Sequence, residues 1–339
     1  MLSKRKLLII ALVLVGVAAF IAAIFAAGKS NAPGPAGLRS PTPSLVAVGS
    51  PPKTIEFPPI PAGAKFVYSG KRKDVPSSMP LYRYTETPSP TSLNKLADSL
   101  SGQFGLQSTP SATIEGQSFM YTRNDQYRSF ALSKTKDIVS VTYQRILVKD
   151  GTMVLQEDSQ NGAASFFAPL LSLSPGVLFY ALPGGMRSFE GVVILERPIP
   201  PLKNYLFGIS IQNIPILTKE YTRRWASLTV DNMGAVRILN FVASPAVSPF
   251  SNTSIIPLEL AVQNLNEGNG VILWITQESG EQYGVAPSFT RGALTDFSLV
   301  YIHRGGILLP AFLFTGEGVS PSGVKQIFET LVLAVPTQK

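Results

Sequence analysis

The chain offers one histidine and no cysteine for chemistry among its 339 residues. A catalytic triad or a zinc site needs partner side chains, and without cysteine those partners would have to be carboxylates. The histidine, His303, stands between Ile302 and Arg304 at the end of a predicted hairpin. We therefore expect a surface turn residue and no metal centre.

Neither serine nucleophiles nor paired carboxylates occur in a recognised catalytic motif in this sequence. The run GVSPSG at 318–323 does not have the G-x-S-x-G spacing, and its proline indicates a loop. A Ser–Lys pair stays open, since its members can be far apart in sequence. A glycosidase pair would have to come from loop carboxylates, which are ordinarily solvated. These are Glu157, Asp158, Glu278 and Glu281.

Two stretches have the composition of calcium loops but not the spacing. They are Asp231-Asn232 and the run NLNEGN at 264–269, and neither has the D-x-D-x-D-G pattern. Turn formation explains both better. The sequence also has no Walker loop and no dinucleotide-binding G-x-G-x-x-G. We expect a chain that is not an enzyme, with no catalytic residue, cofactor or metal.

Leu7–Ala27 is an apolar run of 21 residues that follows Lys4, Arg5 and Lys6. As a helix it would be about 31 Å long, which matches the hydrocarbon core of a bilayer. The basic cluster predicts a cytoplasmic N-terminus of residues 1–6 and an extracytoplasmic remainder. The alternative is a cleaved signal peptide, although such apolar cores are usually shorter. We favour a single-pass plasma-membrane anchor.

Residues 28–63 are rich in proline, which favours an extended chain without a packed core. We interpret this segment as a stalk. Its apolar end, IEFPPI at 55–60, is expected to dock on the domain, or else to contact a partner through Phe57 and Ile60. The net charge of +8 is spread along the chain, which argues against nucleic acid and permits weak attraction to anionic wall polymer or lipid headgroups.

Beyond the stalk, apolar periodicity predicts an α+β fold of antiparallel sheets, each covered by a short helix. Helices are expected after Thr91, after Asn161 and after Pro257, each followed by strands. The predicted units are residues 64–160, 161–253 and 254–339, with internal duplication left open.

The most apolar hairpin is predicted at Thr295–Thr315, and Pro310 within it argues for an edge position or a bulge. Phe312 and Phe314 share one face, which is expected to lie in the core. An exposed aromatic row that binds a partner is the alternative for these two residues.

The stretch Phe297–Gly318 resembles the end of YycI-type ectodomains, in which a tyrosine and a turn precede L-x-P-x-[FYW]-x-F-x-G. The matching positions are Tyr301, Leu308, Pro310, Phe312, Phe314 and Gly316. The run QNIPIL at 212–217 and the turn at 231–234 also fit, and Thr91–Ile146 resembles PepSY-like modules. These bacterial proteins are bitopic, with an extracytoplasmic domain that regulates a sensor kinase or protease. The resemblance implies no catalytic residues.

These observations favour a membrane-anchored, extracytoplasmic binding or regulatory protein that acts on an envelope protein or a wall component. One alternative is an exported hydrolase of cell-wall glycan or peptide that uses carboxylates or Ser/Lys. Another is a structural subunit of an envelope complex. The partner and the oligomeric state are not encoded in any motif.

Overall fold

The computed structural model describes residue 60 and residues 63–84, 89–116, 118–135, 138–145, 154–155, 159–171, 176–182, 187–189, 193–194, 197–198, 202–243, 246–277 and 289–336. All of them belong to one compact unit, Val48–Lys339. The predicted anchor Leu7–Ala27, most of the stalk and Phe57 lie outside the described residues. No helix among the described residues is long and apolar enough to cross a membrane.

The fold is α+β and consists mostly of strands, as the sequence predicted. Its helices within the described ranges are α1 (Pro90–Gln103), α2 (Gln160–Leu171) and α3 (Leu258–Asn266). The strands are β1 (Lys65–Tyr68), β2 (Ser78–Tyr84), β3 (Ser111–Glu115), β4 (Ser118–Asn124), β5 (Arg128–Thr135), β6 (Ile138–Arg145), β7 (Val177–Ala181), β8 (Arg187–Phe189), β9 (Val193–Ile194), β10 (Arg197–Pro198), β11 (Leu202–Ile211), β12 (Ile214–Ile216), β13 (Ala226–Asp231), β14 (Val236–Val242), β15 (Val247–Ser254), β16 (Gly270–Gln277), β17 (Arg291–Arg304), β18 (Ile307–Val319) and β19 (Lys325–Leu333).

The helices begin where local chemistry predicts. Ser89 caps α1 by accepting a hydrogen bond from the Ser92 backbone N–H, and a proline occupies the first turn. Pro257 directly precedes α3, and Gly268 follows its end with φ +82°. The three predicted helices are confirmed, with boundaries shifted by up to three residues.

One half of the sheet is an antiparallel series covered by α1 and α2. The strands β3 to β6 form a meander, and β6 pairs with β14, which pairs with β13. The strand β13 pairs with one edge of β11, and β7 and β8 pair with the other edge. Between this half and its helices lies a core that includes Leu93, Phe104, Phe130 and Phe167.

The other half is built on the hairpin of β17 and β18, and we call it the hairpin sheet. β18 pairs with β19, β19 with β16, and β1 and β12 pair with β17. Its inner face carries Phe66, Phe312 and Phe328 and packs on α3, whereas its outer face carries Lys65 and Val67. β2 joins β18 and also pairs with β15.

Two expectations need correction. The pairings of β1 and of β12 with β17 are parallel, whereas only antiparallel sheets were predicted. Strand pairing joins residues of different predicted units, since β2 pairs with β15 and β6 with β14. The second correction concerns Pro310.

Pro310 lies in a central strand, neither at an edge nor at a bulge. Its carbonyl accepts a hydrogen bond from Ala334, so its missing N–H points to the same side. On that side the partner of β18 changes from β19 to β2, and no ladder hydrogen bond is lost.

Candidate functional site

The outer face of the hairpin sheet ends in a concave surface, which we call the basic cup. It has a volume of about 720 Å³ and spans the strands β1, β17, β18 and β19. Its lining residues are Lys65, Val67, Thr290, Arg291, Gly292, Ala293, Glu317, Gly318, Val319 and Lys325. Cations and small apolar side chains therefore share one depression.

Aromatic packing on the inner face shapes the floor of the cup. The rings of Phe66, Phe289 and Phe328 form a cluster, with 4.7 Å between the centroids of the last two. A Cβ atom at Gly292 would lie 2.8 Å from the Phe66 ring, and one at Gly318 would lie 2.5 Å from the Phe289 ring. Only glycine lets these rings approach the strand backbones so closely.

The charges of the cup are not balanced among the described residues. Lys65 on β1 lies directly opposite Arg291 on β17, and neither side chain has an ion pair within the part of the chain that the structure describes. Like charges at directly opposite strand positions are destabilising. Lys325 pairs with Glu317 at 2.8 Å. The cup thus keeps two cations at opposite strand positions, and an anion bound between them would be attracted to both.

The edge of β1 is held by one side chain of α3. Asn266 Oδ1 accepts a hydrogen bond from the Phe66 N–H at 2.6 Å, and Asn266 Nδ2 donates to the Phe66 carbonyl at 3.0 Å. The amide takes the place of a neighbouring strand and satisfies both backbone groups. This contact fixes the strand that carries Lys65. The NLNEGN stretch therefore positions β1, in addition to ending α3.

His303 is buried, which contradicts the expected surface position. Its ring centroid lies 5.0 Å from that of Tyr84 and 6.0 Å from that of Trp225. Neither ring nitrogen has a hydrogen-bond partner among the described residues. Burial, reinforced by the ammonium of Lys219, lowers the pKa of His303 to about 3, so the ring is neutral at pH 7. Strand β2 and the segment 217–225 cover the hairpin end, which the sequence pattern did not reveal.

Phe312 and Phe314 are fully buried in the inner core, and their rings stack 5.8 Å apart. The expectation of a shared buried face is met, and the alternative of an exposed partner-binding row is wrong for both side chains. The reason is that α3 and β1 cover this face. Ile60 also packs against the same core, in agreement with docking of the stalk end on the domain.

The described carboxylates have structural contacts. Asp231 accepts hydrogen bonds from the backbone N–H groups of Met233 and Ala235, and its other oxygen pairs with Arg237 at 2.9 Å. This confirms a turn, as expected. Within the described ranges no group of three or more acidic or histidine side chains could hold a metal ion. Glu157, Asp158, Glu278 and Glu281 lie outside those ranges.

The predicted serine loop is also a turn. Ser320 Oγ accepts a hydrogen bond from the Val324 N–H at 3.1 Å and lies 2.8 Å from Ser322 Oγ. The basic cup is the site that sequence reasoning missed. On β1 the outward-facing Lys65 and Val67 alternate with Phe66 and Tyr68, and the cations of the cup become neighbours only through strand pairing.

Comparisons with known proteins give no functional assignment for the basic cup. No family model matches the chain, and no curated protein matches it. Among solved structures, the chain is similar to an uncharacterized protein from Eubacterium rectale ATCC 33656, with 10% identity and a TM-score of 0.49. That similarity covers 81% of this chain and 90% of the other.

Proposed function

We propose that the chain is a membrane-anchored, extracytoplasmic binding protein without a catalytic site, and that the basic cup binds an anionic ligand of the cell envelope. The single observation that supports this function is the direct opposition of Lys65 and Arg291 in an open depression. Like charges at opposite strand positions repel each other, and an anionic group bound between them would be attracted to both and would offset that repulsion.

The surroundings of the two cations favour binding over catalysis. The one carboxylate of the cup, Glu317, pairs with Lys325. A glycosidase would need two carboxylates converging on a cleft. The predicted anchor Leu7–Ala27 and the resemblance of Phe297–Gly318 to YycI-type ectodomains support a place outside the membrane and a regulatory role toward an envelope partner.

A binding titration tests the function. The full chain in detergent micelles is titrated by calorimetry with poly-L-glutamate and, separately, with long-chain polyphosphate, each at low and high salt. We expect binding that weakens at high salt, because exposed charges are screened. The double variant Lys65→Ala with Arg291→Ala should lose at least ten-fold in affinity.

The matched control removes the same charge elsewhere. Lys95→Ala with Lys134→Ala alters α1 and β5 and should leave binding within two-fold of the original chain. Equal losses in both double variants would mean that net charge alone drives binding. No binding of either polymer would refute the proposed function.

A further inference from the structure

One row of side chains runs across the four strands of the basic cup. From β1 to β19 the row is Lys65, Arg291, Val319 and Lys325. Lys65 pairs with Arg291, the register of β17 with β18 brings Arg291 beside Val319, and Val319 pairs with Lys325. The order across the sheet is therefore cation, cation, apolar, cation.

The spacing of this row is set by the sheet itself. Neighbouring strands lie about 4.8 Å apart, so the point midway between Lys65 and Arg291 is about 7 Å from Val319 and about 12 Å from Lys325. In an extended peptide, side chains on one side recur about every 6.7 Å, or about 13 Å for every second one. A segment that crosses the strands can match the row with residues i, i+2 and i+4.

The apolar part of the cup distinguishes between ligands. The side chains of Val67 and Val319 remain 65% and 58% exposed beside the cations. A polymer of phosphate or of acidic sugar has no apolar group to cover them. A peptide can place an aliphatic side chain there and acidic side chains on either side, which gains burial as well as charge pairing.

The cations of the row differ in their availability. Lys325 already pairs with Glu317, so an acidic residue of a ligand has to compete for it. Lys65 and Arg291 face each other without such a competitor among the described residues. The acidic residue at position i is therefore the stronger contact, and the one at i+4 adds selectivity for spacing.

We infer that the ligand of the cup is an extended segment of an envelope protein that is acidic at i and i+4 and aliphatic at i+2. This inference rests on the proposed function. It adds the class of partner and the direction in which the segment lies, across the strands of the hairpin sheet.

Competition with labelled poly-L-glutamate on the full chain tests the inference. The peptide Glu-Gly-Val-Gly-Glu, blocked at both ends, is compared with its isomer Glu-Val-Glu-Gly-Gly and with Glu-Gly-Ser-Gly-Glu. We expect the first peptide to compete at least five-fold better than either. In the Lys325→Ala variant the advantage over the isomer should disappear, and in Val319→Ser the advantage over the serine peptide should disappear.

The outcomes separate the two proposals. Equal competition by all three peptides, or better competition by the isomer whose acidic residues are closer together, would overturn the inference. The proposed function would still stand if poly-L-glutamate binds. Stronger binding of polyphosphate than of the first peptide, with loss in Lys65→Ala, would replace the protein segment with a phosphate polymer. Failure of poly-L-glutamate and polyphosphate alike would overturn both proposals.

Discussion

The two ends of the β17–β18 hairpin carry ionisable side chains in opposite environments. At the open end, Arg291 and Glu317 lie on an outer face that forms the basic cup. At the turn end, His303 is 7% exposed and packs between Tyr84 and Trp225. One pair of strands therefore carries a solvent-exposed, charged surface and a buried, neutral side chain, and the difference comes from the face that each occupies and what covers it.

The face that each side chain occupies, and what covers that face, explain the contrast. His303 pairs with Leu308 and shares the inner face, which the main core covers. Arg291 and Glu317 lie on the outer face, which is covered near the turn by a layer that includes Leu217 but is open at the cup. Charge is tolerated on the open face, whereas burial on the covered face favours the neutral imidazole.

The largest effect should come from the core between the two ends. Phe312→Ala removes a fully buried ring, and the cavity should lower the free energy of unfolding by about 3–5 kcal/mol. Urea unfolding followed by circular dichroism measures the change. The matched control is Phe250→Ala, because that ring is 42% exposed and contacts Arg83, so its loss should cost about 1 kcal/mol or less. Similar losses in both variants would contradict the assigned core.

The next effect concerns pH at the turn end. The pKa of His303 is lowered to about 3 in the folded chain, so the unfolded chain binds the additional proton as pH falls below about 6.5. This group should therefore remove about 3 kcal/mol of stability between pH 7 and pH 4. A histidine at the surface turn that the sequence predicted would have no such effect on stability.

His303→Phe isolates this contribution, because the chain has a single histidine. The difference in unfolding free energy between the variant and the original chain should grow in favour of the variant as pH falls from 7 to 4. Parallel stability curves over that range would show that the imidazole is as accessible to protons in the folded state as in the unfolded state.

A smaller effect is expected where α3 holds the wall of the cup. Asn266→Ala removes the two hydrogen bonds to Phe66 and should cost about 1–2 kcal/mol. The amide of Phe66 should exchange its hydrogen faster, which mass spectrometry of the 63–70 peptide can measure. Binding of poly-L-glutamate should weaken through Lys65. Unchanged exchange would show that β1 is held by its pairing with β17 alone.

The smallest effect on stability should have the opposite sign. Lys65→Glu replaces a like-charge pair with an opposite-charge pair beside Arg291 and should raise stability by about 0.2–1 kcal/mol. The same change should abolish poly-L-glutamate binding, so stability and binding should move in opposite directions. Lys95→Glu on α1 serves as the control, and loss of binding there would disconnect binding from the cup.

Local sequence patterns predicted much of the fold. The hairpin predicted at Thr295–Thr315 is present as β17 and β18. The turn at Asp231 was also predicted, whereas α1 begins at Pro90 after its cap Ser89 and not after Thr91 as expected. Strands β3 and β15 were not predicted, because β3 and most of β15 are exposed and show no apolar alternation.

By itself the sequence determined the helix positions, the hairpin, the α+β class and the aromatic face of Phe312 and Phe314, because each depends on residues a few positions apart. Only the tertiary structure decided that His303 is buried and that Lys65 lies opposite Arg291 on the neighbouring strand. The hydrogen bonds between the Asn266 side chain and the Phe66 backbone join residues 200 positions apart. Such pairings depend on which layers cover a strand and which strand lies beside it, and periodicity along a single segment carries no information about either.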